Sequence, residues 1–171
     1  ALCIVLDSRG GVFYRQVRVG RDGKDFRLFK FRSMASGADK KGLITVGAKD
    51  SRVTRVGYFL RKYKLDELPQ LLNVVRGEMS LVGPRPEVRK FVDMYTVEQR
   101  KVLAVAPGIT DYASIEYADE NTILGQASDP DRAYVEQIMP DKIRYNMKYI
   151  NNRCLKEYFK IIFLTLMKIV K

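Results

Sequence analysis

Alternating apolar and polar positions predict a β-hairpin near the start of the chain. Residues 12–19 and 26–34 are rich in β-branched and aromatic side chains, and the run between them, GRDG at 20–23, contains an Asp-Gly turn signal. Because side chains alternate between the two faces of a strand, we expect Lys30 and Arg32 to share one face of the second strand.

The apolar spacing changes to the helical period after a polar stretch. Residues 35–50, rich in Gly, Ala, Lys and Asp, are predicted to form a loop. Residues 53–63 carry apolar side chains at helical spacing. A second helix is expected over 66–75, since Pro69 is tolerated only in a first helical turn. Residues 78–82 are predicted to form a short strand.

Turn and capping signals locate the helices that follow. A capping box, TVEQ at 96–99, predicts a helix that runs to about residue 105. Asp129 and Pro130 are expected to cap and open another helix, which Pro140 interrupts before the chain resumes it. These elements predict a single α+β domain over 1–171, with several helices around a small antiparallel sheet or hairpin.

The last segment, 154–171, combines a broad apolar face with a narrow stripe of lysines. Lys156, Lys160 and Lys168 recur at multiples of four and therefore share one helix face. This pattern is typical of an amphipathic helix lying in a membrane interface. It also fits a terminal helix packed on the core, and the lysines argue against a helix that spans the bilayer.

The apolar start of the chain allows two interpretations. Residues 1–6, ALCIVL, are far fewer than the roughly 20 residues that a spanning helix needs. They fit either an ordinary strand or the stub of a longer hydrophobic segment that has been cut away.

The net charge of +11 is carried entirely by the first part of the chain. Residues 1–65 contain 16 Lys/Arg and 5 Asp/Glu, whereas residues 66–171 contain 15 of each. One-sided clustering of cations implies an anionic partner, such as nucleic acid, lipid headgroups or a phosphorylated substrate. The two distant cysteines indicate no disulfide framework and favour a reducing compartment.

The sequence contains no histidine, which excludes Ser-His-Asp, Cys-His and His-metal chemistry. A metal would need hard oxygen ligands, which suit Mg²⁺, Mn²⁺ or Ca²⁺. The adjacent carboxylates Asp66 and Glu67 offer such ligands at the predicted start of a helix. The helix dipole, together with Arg61 and Lys64, is expected to lower the pKa of Asp66 and keep it ionised for metal binding or nucleophilic attack. Helix capping explains the same pair without any chemistry.

Three further cations suit a phosphorylated ligand. Arg85 stands between two prolines, so a stiff backbone presents its guanidinium for bidentate contact with a phosphate. Lys30 and Arg32, within the run KFR, would add cations from the second strand. An exposed polar turn and a solvated strand face explain these patterns equally well.

Taken together, three stretches of the chain resemble the bacterial sugar transferase family, the monotopic phosphoglycosyl transferases that prime glycan assembly on polyprenyl phosphate. They are DSRGGVFYRQVRVGRDGKDFRLFKFRSM (7–34), DSRVTRVGYFLRKYKLDELPQLLNVVRGEMSLVGPRPE (50–87) and APGIT (106–110). Members carry a re-entrant hydrophobic helix before the segment that begins here, which supports the stub interpretation of residues 1–6. Many members have glycine where this chain has Asp111, in a region expected to affect sugar choice.

The resemblance implies an enzyme that transfers a phospho-sugar from a UDP-sugar to a membrane polyprenyl phosphate, expected to be undecaprenyl phosphate, and releases UMP. This reaction is the first membrane step of bacterial glycan biosynthesis. The resemblance also implies a place on the cytoplasmic face of the bacterial inner membrane, contact with the membrane surface and no nucleic-acid partner.

The same resemblance assigns roles to residues. It implies Asp66 as the nucleophile that forms an acyl-phosphate intermediate, and Glu67 as the catalytic partner that holds Mg²⁺ against the diphosphate. It implies phosphate- or substrate-binding roles for four cations: Arg61, Arg85, Lys30 and Arg32.

Two other classes of protein fit parts of the pattern. The basic hairpin with Phe26, Phe29 and Phe31 would suit a nucleic-acid-binding module that stacks bases on aromatic rings. The basic half and the lysine-striped helix would suit a non-catalytic peripheral protein that binds anionic lipid.

Overall fold

The computed structural model describes residues 1–38 and 50–170, and over these ranges the chain is α+β, as predicted. The predicted loop at 35–50 lies mostly outside the described residues. Within them the strands are β1 (Phe13–Val19), β2 (Asp25–Phe31), β3 (Ser80–Val82) and β4 (Gly108–Thr110). The α-helices are α1 (Leu2–Asp7), α2 (Arg55–Lys62), α3 (Gln70–Val75), α4 (Arg89–Val92), α5 (Tyr112–Glu116), α6 (Glu120–Gln126), α7 (Pro130–Ala133), α8 (Met139–Asn151) and α9 (Leu155–Val170).

Strands β1 and β2 pair antiparallel along their whole length, which confirms the predicted hairpin. In the turn, Asp22 (φ 56°) and Gly23 (φ 74°) both adopt left-handed backbone conformations. Aspartate and glycine tolerate this region better than other residues, so the Asp-Gly pair explains the turn. Strand β2 ends at Phe31, earlier than predicted, and Met34 instead forms an isolated bridge with Val53.

A second, parallel pair of strands was not predicted. The strand expected at 78–82 is present as β3, and it pairs with β4 so that Val82 lies opposite Thr110. The two backbones approach closely just after β3, because a methyl group added to Gly108 would overlap the backbone of Gly83. Parallel pairing places the carboxyl ends of both strands at the same edge.

Two apolar clusters pack the helices together. The larger one joins α4, α6, α8 and a π-helical turn at Tyr134–Ile138; its buried members are Val88, Phe91, Leu124, Tyr134, Ile138, Met139 and Ile143. The smaller one joins β3, α8 and α9 through Val82, Tyr149 and Ile161. Helix α9 is thereby attached to the strand whose carboxyl end leads to Arg85.

Two predictions of local structure need correction. The strand interpretation of residues 1–6 is wrong, since Leu2–Asp7 is an α-helix with Ile4 buried. The helix predicted to begin at Asp66 begins instead as a tight 3₁₀ turn, Leu65–Glu67, and becomes α-helical only at Gln70. Pro69 immediately precedes that α-helix, where its missing N–H leaves no hydrogen bond unmade.

The later capping signals are mostly confirmed. Thr96 and Gln99 exchange hydrogen bonds as a capping box does, at 2.9 and 3.2 Å, although the turn that follows, Gln99–Ala104, is 3₁₀ rather than α-helical. Asp129 caps α7 by accepting from the Arg132 amide. Pro140 lies in the first turn of α8, so the chain restarts its α-helix there, after the π-helical turn.

The C-terminal helix α9 uses both of the faces suggested for it. Ile161 is buried in the smaller apolar cluster, whereas Phe159, Phe163, Leu166 and Met167 are exposed. Of the helices in the described part of the chain, none combines the length and the apolar character needed to cross a bilayer.

A tight contact between α2 and the end of the hairpin generates a stability prediction. A methyl group on Gly57 would overlap the carbonyl group of Ser33. We therefore expect Gly57→Ala to lower the free energy of unfolding by about 1–3 kcal/mol, although alanine favours helix. Gly11→Ala is the matched control, since its nearest neighbour, the Phe13 carbonyl oxygen, would lie 4.0 Å away. Chemical denaturation would measure both variants, and equal losses would contradict the packing argument.

Candidate active site

A cleft of about 1350 Å³ runs between the hairpin, the 3₁₀ turn, the segment after β3 and helices α5, α6 and α9. The structure brings the predicted site residues Lys30, Arg61, Asp66, Glu67 and Arg85 to its walls. Apolar side chains form another part of the lining, namely Tyr63, Leu68, Leu71, Leu166 and Ile169. The cleft therefore offers a charged wall and an apolar wall to one ligand or to two.

The two carboxylates reach the cleft through a strained connection. Helix α2 ends at Lys62, and Lys64 takes the left-handed conformation with φ 55° before the 3₁₀ turn begins. Non-glycine residues adopt this conformation rarely, and such strain clusters at functional sites. The reversal of the chain at Lys64 brings Arg61, near the end of α2, and the Asp66–Glu67 pair to the same cleft.

Glu67 is the centre of an ion-pair cluster. Lys30 Nζ donates to Glu67 Oε1 at 3.0 Å, and the Arg85 guanidinium donates to both carboxylate oxygens, with Nη1 at 3.1 Å from Oε2. Burial opposes ionisation of Glu67, but the charges and hydrogen bonds of Arg85 and Lys30 hold its pKa well below the ordinary value. Conversely, the negative charge of Glu67 is the main cause of the raised pKa of Arg85.

Asp66 behaves differently from its neighbour and from the prediction. Its side chain is buried, and this desolvation raises its pKa, while Lys30 lowers it and the Glu67 carboxylate raises it further. Arg61 lowers the pKa, as expected, but the predicted net lowering is wrong because burial dominates. Lys64 is exposed. Asp66 is thus a desolvated carboxylate within the field of several cations.

The segment that carries Arg85 is held from several sides by residues of which the sequence analysis named only Asp111, and for another role. Arg18 donates to the Pro86 carbonyl and to the Glu87 carboxylate, both at 3.1 Å. Glu87 also accepts from the hydroxyl of Tyr134. The Arg85 amide donates to Asp111 at 2.9 Å. No spacing rule signals these partners, since each contact joins distant parts of the chain.

Another buried polar side chain, Asn73, fixes β2 beside the site. It accepts from the Phe29 amide at 3.0 Å and donates to the Arg27 carbonyl at 2.9 Å. The contact attaches α3 to the strand that carries Lys30. The sequence gives no sign of it, because an asparagine inside a predicted helix is usually exposed.

Arg32 lines the same cleft as Lys30, but its guanidinium is already bound to acceptors of the protein. Its buried guanidinium donates to four backbone carbonyls at residues 8–11, to the Ile4 carbonyl and to the Ser8 hydroxyl, at 2.6–3.2 Å. All five N–H groups of an arginine are used by these acceptors. Arg32 therefore braces the end of α1 and the following loop, and we leave it out of the proposed phosphate-binding set.

The donor set fits a magnesium ion that is bound together with a substrate phosphate. Within residues 1–38 and 50–170, no cluster of three or more acidic or cysteine side chains could enclose a metal. Mg²⁺ commonly binds to one or two carboxylates plus phosphate oxygens and water, and the adjacent Asp66 and Glu67 supply that number. Glu67 accepts three N–H bonds, whereas a carboxylate has about four lone-pair sites, so about one site remains for a metal ion.

Two of the three aromatic rings that suggested base stacking, Phe29 and Phe31, contact other side chains of the protein. Phe29 is buried between two guanidinium groups, with Arg15 at 5.0 Å and Arg76 at 4.7 Å from its ring centre. Phe31 stacks on Phe13 at 5.6 Å. For these two rings, packing within the hairpin accounts for the aromatic residues without a bound base.

The ion-pair cluster predicts a pH-dependent effect of Glu67→Gln on stability. The variant leaves Lys30 and Arg85 without the counter-charge of Glu67, so we expect the free energy of unfolding to fall by about 2 kcal/mol or more at pH 7. The pKa of Glu67 is lower in the folded protein than in the unfolded chain. The contribution of ionised Glu67 to the free energy of unfolding is therefore complete above the unfolded-state pKa of about 4.5, and it disappears as the pH falls through the folded-state pKa.

Urea unfolding at pH 7 and at successively lower pH would measure the difference between the two proteins. Glu98→Gln is the control, because Glu98 and its partner Lys101 are both exposed and such a pair contributes little. A difference for Glu67→Gln that is small at pH 7, or that grows as the pH falls, would contradict the ion-pair analysis.

Comparison with known proteins finds one matching family and relatives whose names describe the same kind of transferase. The family described as bacterial sugar transferase matches residues 1–171. The chain is 39% identical to the UDP-N-acetylgalactosamine-undecaprenyl-phosphate N-acetylgalactosaminephosphotransferase of Aeromonas hydrophila, over 99% of this chain and 38% of that protein. It is 37% identical to the UDP-glucose:undecaprenyl-phosphate glucose-1-phosphate transferase of Escherichia coli strain K12, over 98% of this chain and 34% of that protein.

A shorter relative matches over part of the chain. The putative undecaprenyl-phosphate N-acetylgalactosaminyl 1-phosphate transferase of Bacillus subtilis strain 168 is 46% identical over 57% of this chain and 55% of that protein. The chain thus spans about a third to a half of the length of these relatives. Because the match to this family covers the whole chain, the chain belongs to the bacterial sugar transferase family.

Proposed function

We propose that this chain is the catalytic part of a phosphoglycosyl transferase that moves a sugar 1-phosphate from a UDP-sugar to a membrane polyprenyl phosphate. The names of the relatives from Aeromonas hydrophila and Escherichia coli support this class of donor and an undecaprenyl phosphate acceptor. The observation that carries the proposal is the position of Asp66, a buried carboxylate beside a cation-bound Glu67 in a cleft with one charged and one apolar wall.

Asp66 acts as the nucleophile in the proposed reaction. One of its carboxylate oxygens attacks the sugar-bearing phosphorus of the UDP-sugar, and the bond from that phosphorus to the bridging oxygen breaks. UMP leaves with the bridging oxygen and its electron pair. An oxygen of polyprenyl phosphate then attacks the same phosphorus, which breaks the bond to Asp66 and gives the polyprenyl-diphosphate sugar. Burial supports the nucleophile, because desolvation removes the water that would otherwise stabilise its charge.

The cations on the charged wall would bring two anions together. A carboxylate and a diphosphate repel each other, and Lys30, Arg61 and Arg85 supply the opposite charge in the same cleft. Arg85 is suited to a bidentate phosphate contact, since it already makes one with the Glu67 carboxylate. A bound diphosphate would compete with Glu67 for this guanidinium and so release carboxylate oxygens.

A divalent cation belongs to the proposal as well. Glu67, with Asp66 beside it, would hold Mg²⁺ against the diphosphate. The bound metal would neutralise charge on the diphosphate and on departing UMP. Glu67→Gln is therefore expected to weaken the dependence on Mg²⁺.

We also propose a position at the cytoplasmic face of the bacterial inner membrane; exposed apolar side chains support the membrane contact in this proposal. Four helices carry exposed apolar side chains: Leu2, Val5 and Leu6 on α1, Tyr58 and Phe59 on α2, Leu72 and Val75 on α3, and Phe159 and Phe163 on α9. Exposed apolar surface that is contiguous marks sites of interaction with a membrane or with another protein. The apolar wall of the cleft combines Leu68 and Leu71 with Leu166 of α9, and it suits the hydrocarbon chain of a polyprenyl acceptor.

Replacement of the nucleophile provides the direct test of the reaction. In lipid nanodiscs with Mg²⁺, undecaprenyl phosphate and either UDP-glucose or UDP-N-acetylgalactosamine, we expect Asp66→Asn to reduce UMP release at least about 1000-fold. Without acceptor, the unaltered protein should retain sugar label covalently, and Asp66→Asn should retain none. Asp129→Asn is the control, since asparagine caps a helix as well as aspartate does. Near-normal turnover by Asp66→Asn would refute the assignment.

The membrane-facing role of α9 makes a separate prediction. We expect the double change Phe159→Ser and Phe163→Ser to weaken binding to vesicles of phosphatidylglycerol and phosphatidylcholine at least about tenfold, because each ring buries a large apolar area on insertion. Flotation or sedimentation would measure the bound fraction. Val97→Ser is the control, since Val97 is 82% exposed but lies outside the four helices. Equal binding by all three proteins would contradict the proposed membrane face.

A further inference from the structure

Asp111 is a fully buried carboxylate at the edge of the sheet next to the proposed site. It directly follows β4, its residue is 0% exposed, and its two oxygens accept from different parts of the chain. Oδ1 accepts from the Ser114 amide at 2.5 Å and so caps α5. Oδ2 accepts from the Arg85 amide at 2.9 Å. This geometry places the carboxylate against the protein backbone, whereas the sequence suggested a position that affects sugar choice.

Helix capping accounts for only half of these contacts. A serine, threonine or asparagine would cap α5 equally well through one oxygen. The contact with Arg85 requires a second acceptor in the same side chain, and it joins residues 26 positions apart. An ionised carboxylate is the side chain that supplies two strong acceptors at once.

Asp111 accepts its hydrogen bond from the backbone amide of Arg85. Prolines 84 and 86 have no amide hydrogen, so the Arg85 N–H is the sole backbone donor of the Pro-Arg-Pro corner. Gly83, which follows β3, lies close to Gly108, the first residue of β4, and the Gly108 amide donates to the Pro84 carbonyl at 2.9 Å. Asp111 therefore completes the attachment of this corner to the parallel strands.

We propose that Asp111 is a positioning residue for Arg85: by binding the Arg85 amide, it fixes the direction in which the guanidinium leaves the backbone and enters the cleft. The proposal rests on the proposed function in one respect, that Arg85 serves phosphate binding during transfer. Asp111 itself is fully buried and is not one of the residues that line the cleft, so it acts through Arg85. Its negative charge also favours the charged form of the guanidinium.

The first experiment measures the link itself and requires no activity. Hydrogen exchange of the Arg85 amide, followed by NMR on protein labelled with ¹⁵N-arginine in nanodiscs, should become at least about tenfold faster in Asp111→Ser, because the amide loses its acceptor. Serine still caps α5. Asp129→Ser makes the same chemical change at the exposed cap of α7 and should leave the Arg85 amide unchanged. Unchanged exchange in Asp111→Ser would overturn the proposal.

The second experiment asks whether Asp111 acts through Arg85. We expect Asp111→Ser to lower kcat/KM for UMP release about tenfold in the unaltered background and less than about twofold in an Arg85→Ala background. A purely structural role would lower kcat/KM by the same factor in both backgrounds, and that result would overturn the proposal. Asp111→Asn retains the shape and one acceptor oxygen, so its kcat/KM should lie between those of the unaltered protein and Asp111→Ser. It provides a second variant if Asp111→Ser does not fold.

The two experiments distinguish the failure of this proposal from the failure of the proposed function. If the unaltered protein releases no UMP from any UDP-sugar tested, the assigned reaction is wrong, and amide exchange alone then decides whether Asp111 fixes Arg85. If UMP release depends on Asp66 but the Asp111 and Arg85 effects are additive, the reaction stands and the positioning role is refuted.

Discussion

The carboxylate of Glu67, held between Lys30 and Arg85, is the interaction on which the rest of the site depends. It joins three elements that are distant in sequence: β2, the 3₁₀ turn and the segment after β3. Without it, two partly buried cations would face each other across the cleft. Its presence also leaves the cations close enough to act on Asp66, so that a desolvated carboxylate is tolerated beside them.

Much of the remaining structure holds these three elements in place through backbone contacts. Asn73 attaches β2 to α3, Arg32 attaches the residue after β2 to the end of α1, and the Gly83–Gly108 approach attaches β3 to β4. Each contact uses a buried polar group or a missing side chain and therefore tolerates little change in geometry. These attachments hold the strands and the turn from which the charged groups of the cleft extend.

Local signals predicted local structure, whereas burial and long-range pairing lay beyond them. The alternation of side chains and the Asp-Gly pair predicted the hairpin, and Asp129 predicted its helix cap. The pairing of β3 with β4 joins residues 28 positions apart, such as Ser80 and Gly108, so no local pattern could indicate it. The wrong direction for the pKa of Asp66 has the same origin, since a sequence shows neighbouring charges but not desolvation. Spacing alone likewise cannot tell whether a cation such as Arg32 meets a phosphate or backbone carbonyls.

The left-handed conformation of Lys64 has a consequence for chain entropy next to the proposed nucleophile. A non-glycine residue in this conformation costs about 1–2 kcal/mol, whereas glycine would avoid that cost but lose about 0.5–1 kcal/mol through its freedom in the unfolded chain. The difference favours glycine by up to about 1.5 kcal/mol, so Lys64 is retained at some cost in the free energy of unfolding. A side chain at this position does restrict the backbone two residues before Asp66, which reduces the number of directions in which the carboxylate can point.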